Sequence, residues 1–145
     1  MSLPELRPAA IFLAAVVSLS PGCGPSGPAT YPATGKVIFR DGRPLPAGVI
    51  EFASVDGGPS ARARIEPDGR FTLATGDRPG AVAGRHRVAV VQMAVADGAP
   101  MSHARLKHRG LSVPPKYARF ETSGLERTVE PGRDNEFLIE LDAAN

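Results

Sequence analysis

One cysteine, three histidines, a group of arginines and several turn aspartates are the residues of this chain whose types could do chemistry. Cys23 is the single cysteine, so no intramolecular disulfide can form and its chemistry would be modification of the thiol. His86, His103 and His108 are scattered, with no second thiol or clustered carboxylate beside them. Zinc wants three or four convergent ligands, commonly at short fixed spacings, and this pattern offers none. Asp41, Asp56, Asp68, Asp77 and Asp134 all fall at expected turns. Calcium would need six to eight oxygens gathered in one place, whereas turn chemistry alone puts aspartate at such positions. Neither a metal nor a cofactor is therefore expected. No Gly-x-Ser-x-Gly elbow and no His-Glu-x-x-His pair occurs. The chain reads as noncatalytic; the competing reading is an envelope enzyme whose polar residues converge from distant segments.

Arg62, Arg64, Arg70, Arg85 and Arg87 are the second candidate. If the strands that carry them pair as neighbours, these side chains share an exposed face that could bind an acidic glycan or another anionic surface. The plainer reading is a solvated sheet face, with Glu51 and Glu66 as cross-strand partners, that discourages edge pairing. Acidic and basic residues are interleaved throughout and the net charge is only +2, so no basic stripe is present and nucleic-acid binding is not expected. A carbohydrate-binding module is a further alternative, but it predicts exposed aromatics, and this chain has no Trp. The long segment 93–124, with Tyr117 and Phe120, is the other candidate contact region, or else a connection whose aromatics cap the core.

The elements that must hold these residues read as strands. Ala61, Ala63 and Ile65 alternate with Arg62, Arg64 and Glu66, and beyond a Pro67-Asp68-Gly69 turn Phe71 and Leu73 alternate with Arg70 and Thr72. Period two with a turn between is the signature of a hairpin with one buried and one solvated face. Pro67 presets φ, Asp68 can bond its own backbone, and Gly69 accepts positive φ. Similar runs at 36–40, 49–53, 85–92, 125–129 and 136–142 bring the count to seven. With 16 Gly and 15 Pro in 145 residues, the composition suits short strands joined by tight turns. The expectation is one domain over 34–142, an all-β, seven-stranded antiparallel β-sandwich.

Residues 1–23 read as an export signal: Arg7 precedes an apolar run from Ala9 to Leu19, too short to span a bilayer, which needs about 20 apolar residues. Ser20-Pro21-Gly22-Cys23 resembles the lipobox of bacterial lipoproteins, although Leu19 stands one position further from the cysteine than is usual. The resemblance implies acylation of Cys23 and a membrane anchor on the periplasmic or cell-surface side. Residues 24–33, rich in Pro and Gly, read as a linker of up to roughly 31 Å.

Thr34-Gly35-Lys36-Val37-Ile38-Phe39, Asp41-Gly42-Arg43-Pro44-Leu45-Pro46, Asp68-Gly69-Arg70-Phe71-Thr72-Leu73 and Gly84-Arg85-His86-Arg87-Val88 together resemble the carboxypeptidase regulatory-like domain. That family implies a transthyretin-like (prealbumin-like) sandwich of Greek-key type. It has no catalytic role of its own. The tail, with Val113-Pro114-Pro115-Lys116-Tyr117, Thr122-Ser123-Gly124-Leu125 and Asn135-Glu136-Phe137-Leu138, looks like small planctomycete lipoproteins that end in such a domain. The implied function is a lipid-anchored cell-envelope module with a binding or structural role, meeting the membrane through its anchor and an envelope protein or glycan through the domain.

Overall fold

The computed structural model describes residues 27–93, 95–96, 99–100, 102 and 111–144. The signal segment, Cys23, His103 and His108 lie outside the described residues. The described residues are all-β, with one short 3-10 turn among them.

The elements are β1 (Thr30–Tyr31), β2 (Ala33–Phe39), β3 (Gly48–Ser54), β4 (Ala61–Ile65), β5 (Arg70–Thr72), β6 (Ala74–Thr75), β7 (Arg78–Pro79), β8 (Ala81–Val82) and β9 (Gly84–Gln92). They are followed by β10 (Val95–Ala96), β11 (Ala99–Pro100), the 3-10 turn η1 (Pro115–Ala118), β12 (Leu125–Val129) and β13 (Asn135–Leu141). Six strands form one sheet in the order β12-β9-β3-β4-β6-β7, and three form another in the order β13-β2-β5. β1 pairs with β8 and β10 with β11 in two small ladders.

Alternation explains the longer strands. On β4, Ala61, Ala63 and Ile65 are buried while Arg62 and Arg64 are exposed; on β13, Asn135, Ile139 and Leu141 are buried while Glu136, Leu138 and Glu140 face solvent. Inward residues of both sheets form a single core. Phe52 of β3 is its crossing point, with its ring 6.3 Å from Phe71 of β5 and 5.4 Å from Phe137 of β13. Tilted aromatic contacts at this spacing add to the area that each ring buries.

The turn at Glu66–Gly69 closes as its residues require. Gly69 N–H donates to the Glu66 carbonyl at 2.8 Å, Asp68 Oδ1 accepts from Arg70 N–H, and Gly69 has φ of 84°. The strands on either side nevertheless part company. β4 stays in the six-stranded sheet, whereas β5 pairs with β2 in the three-stranded one. The turn is a corner between sheets as well as a hairpin.

Three expectations change. All seven expected segments are strands, but six shorter ones join them, so the described residues hold thirteen. The pairing is not wholly antiparallel: β13 runs parallel to β2 over its full length, from Asn135 opposite Ala33 to Leu141 opposite Phe39. β13 enters from β12, an edge of the other sheet, and no tight hairpin ties it to β2, so nothing forces the antiparallel sense. Third, the fold begins before Thr34. Thr30 and Tyr31 pair with Val82 and Ala81, and Arg78 Nη1 donates to the Pro28 carbonyl at 2.7 Å. Most of the expected 24–33 linker belongs to the domain.

Candidate functional site

The outward face of the six-stranded sheet gathers four of the five arginines. Glu51 on β3 stands opposite Arg62 of β4, and Val49 opposite Arg64. On the other flank of β3, Ala53 stands opposite Arg87 of β9, whose far neighbour is Glu126 of β12; Arg85 stands opposite Thr128. Two arginines therefore flank each side of β3, about 10 Å apart across two strand spacings. Arg62 reaches Glu51 at 3.2 Å. Arg64, Arg85 and Arg87 make no ion pair among the described residues. Val91, 49% exposed, continues the face along β9. Arg87 also lines an open groove of about 370 Å³ with Phe120, Glu121, Gly124, Leu125 and Glu126. This face can hold an anionic or mixed polar surface.

Arg70 does not join the other four. It lies on β5 in the three-stranded sheet, opposite Lys36, and pairs with its own turn residue Asp68 at 3.3 Å. The reason is the corner at Glu66–Gly69, which carries the chain to the other sheet between Arg64 and Arg70.

His86 is buried with its ring fully enclosed, 6.0 Å from Phe52. Its Nδ1 lies 3.0 Å from the Gly84 carbonyl, which can only accept, so Nδ1 carries the hydrogen. Nε2 is then a bare acceptor with no hydrogen-bond partner among the described residues. Burial is the main cause that pushes its pKa below the usual imidazole value, and the Gly84 bond and the Asp56 charge oppose that shift. A neutral imidazole sealed in the core is out of reach of any substrate.

The densest polar constellation joins the end of β13 to η1. Asp142 Oδ1 lies 2.6 Å from Arg40 Nε, and Oδ2 accepts from Lys116 Nζ at 2.9 Å and from the Tyr117 hydroxyl at 2.8 Å. Tyr117 Oη in turn accepts from Asp142 N–H. Hydrogen bonds from Lys116 and Tyr117 hold the carboxyl below its ordinary pKa, and the bond to Asp142 raises that of Lys116. Both groups therefore stay ionised and fully engaged, which suits a fastener and not a base or nucleophile. Tyr117, buried in the core, is the aromatic cap that the sequence offered as one reading of 93–124. Gln92 ties the same segment to β9, with Oε1 accepting from Val113 N–H and Nε2 donating to Leu111 O.

Sequence reasoning missed Asn135. Its amide is buried, with Nδ2 directed at the carbonyls of Pro32, Glu130 and Arg133 and Oδ1 accepting from Glu130 N–H. The neighbouring Arg133-Asp134 turn masks this role, and no local signal distinguishes it. The turn aspartates stay apart: Asp41 holds Arg43 and Asp68 holds Arg70. Among the described residues no group of three or more His, Cys, Asp or Glu could hold a metal, and no helix is long and apolar enough to cross a membrane. No protein-family model, curated protein or solved structure matches the chain.

Proposed function

We propose that this chain is a noncatalytic, lipid-anchored module of the cell envelope. Its two sheets form a β-sandwich of seven principal strands in the transthyretin-like, carboxypeptidase regulatory-like manner. Its exposed working surface is the outward face of the six-stranded sheet. One observation carries the reading. Among the described residues the buried polar side chains Thr75, Ser123 and Asn135 are spent on backbone groups of turns and strands, as is the Nδ1–H of His86, while Arg62, Arg64, Arg85 and Arg87 collect on one open face. Buried polar groups engaged in this way build a scaffold; chemistry needs them converging on a cleft.

The apolar 9–19 run ending near Cys23 supports export and acylation. An acidic glycan is the ligand class that a shallow, cation-flanked sheet face suits. Mass spectrometry of the mature N-terminal peptide tests the anchor, and an unmodified Cys23 refutes it. Titration of the protein with a soluble acidic polysaccharide tests the face. Binding should weaken at least tenfold in the Arg85→Ser/Arg87→Ser double variant and remain unchanged in Arg70→Ser. Equal loss in both would refute the assignment of the face.

A further inference from the structure

The path of the chain into the domain fixes more than an anchor. Strand ends on both sheets define two poles. At one, the β3–β4 loop 55–60, Gly84 at the start of β9, and the turn 130–134 surround the entering chain. Val55 N–H bonds the Arg85 carbonyl, Gly58 lies against Val82, which pairs with Thr30, and Asn135 ties Pro32 to the 130–134 turn. At the other pole lie the Glu66–Gly69 turn, packed near Pro44, and the clasp of Arg40, Asp142 and Lys116. Between them runs β9, whose nine residues span about 30 Å.

The entering chain is held firmly at the first pole. Arg78 bonds the Pro28 carbonyl, and its guanidinium packs beside Gly27. Gly80 makes room for β1: a Cβ there would lie 2.1 Å from the Tyr31 carbonyl oxygen. Only five residue steps separate Cys23 from Pro28, a reach of at most about 18 Å. That is shorter than the domain is long.

We infer that the domain stands end-on on its membrane, with the pole formed by loop 55–60 and turn 130–134 against the lipid headgroups and the Glu66–Gly69 turn and Asp142 clasp facing away. The inference rests on the anchor reading above. The near pole suits such a surface sterically: Val55 is 36% exposed, and Pro59 of the same loop and Pro131 of the 130–134 turn are exposed too. Its charges are mixed, with Asp56, Asp77, Glu130 and Asp134 against Arg78, Arg85 and Arg133, and Arg133 is already paired with Glu130, so the short tether and not electrostatic attraction supplies the contact. The arginine face then stands upright, open to large ligands on its outer side.

Ser60 and Glu66 are exposed residues that bracket β4, about 20 Å apart along the strand. The Ser60→Cys and Glu66→Cys proteins, purified with their native N-terminus and labelled with a fluorophore, are reconstituted into phosphatidylcholine vesicles containing a headgroup-nitroxide lipid. Quenching at position 60 should exceed that at 66 at least threefold. Inserting a Gly/Ser stretch of about 15 residues after Gly24, long enough to exceed the domain's length, should abolish the difference. Equal or reversed quenching with an acylated Cys23, read by mass spectrometry of the same samples, overturns the orientation and leaves the anchor intact. A difference that survives the insertion also overturns it, because the tether would not be its cause. An unmodified Cys23 overturns both.

Discussion

Lowering the pH should destabilise this protein through one side chain, His86. Its ring is enclosed, its Nδ1–H is committed to the Gly84 carbonyl, and its Nε2 faces the interior without a partner among the described residues. Protonation would put a charge on Nε2 where no acceptor receives it, and burial accordingly lowers the folded-state pKa from 6.5. In the unfolded chain the same imidazole titrates near 6.5, so below that pH the unfolded state takes up a proton that the folded state refuses. The stability contributed by neutral His86 is fully present above 6.5. It falls as pH drops, with a slope of at most about 1.4 kcal/mol per pH unit, and levels off below the folded-state pKa.

The carboxyls of Asp41 and Asp142 are also held low, but they lose their contribution only as pH falls through the carboxylate range, below 3.8. The comparison that isolates the histidine is His86→Phe, which keeps a flat ring against Phe52 and cannot titrate. Losing the Gly84 bond costs this variant about 1 kcal/mol at neutral pH. Urea unfolding of both proteins between about pH 7.5 and about pH 5 should then give a falling curve for the parent and a flatter one for the variant, with the gap between them narrowing as pH falls below about 6.5. Parallel curves would refute the argument, since they would mean that His86 titrates alike in both states.

Other outcomes follow from the fasteners. Asn135→Ala should cost about 1–2 kcal/mol, because the Glu130 N–H and the Glu130 and Arg133 carbonyls lose a partner from a buried side chain. Asn135→Asp should be at least as damaging at neutral pH, since it turns a donor facing three carbonyls into an anion; urea midpoints would reveal either as wrong. Tyr117→Phe removes a buried hydroxyl that both donates to and accepts from Asp142 and should lower stability by about 1–1.5 kcal/mol, with earlier proteolytic release of the C-terminal segment. Gly80→Ala meets the Tyr31 carbonyl at a φ of 90° and should detach β1, seen as new protease cleavage between Gly27 and Pro32 while the rest of the domain persists.

What the sequence determined by itself is local. Alternation along Ala61–Ile65 and Glu136–Leu141 marked strands and their buried faces, and Pro67-Asp68-Gly69 marked a turn, because side-chain direction and turn geometry depend on a few adjacent residues. That Arg62, Arg64, Arg70, Arg85 and Arg87 point to solvent was legible for the same reason. Only the tertiary structure decided which sheet each strand joins. Arg70 left the face of the other four because β5 found β2 as its partner, and β13 lies parallel to β2 although the alternation of both strands is compatible with either sense. The fasteners were hidden too: Lys116 and Tyr117 meet Asp142 across more than twenty residues, and Arg78 reaches back to Pro28. Such contacts depend on the energy of the assembled core weighed against the entropy of closing long loops, a balance that no short window of residues contains.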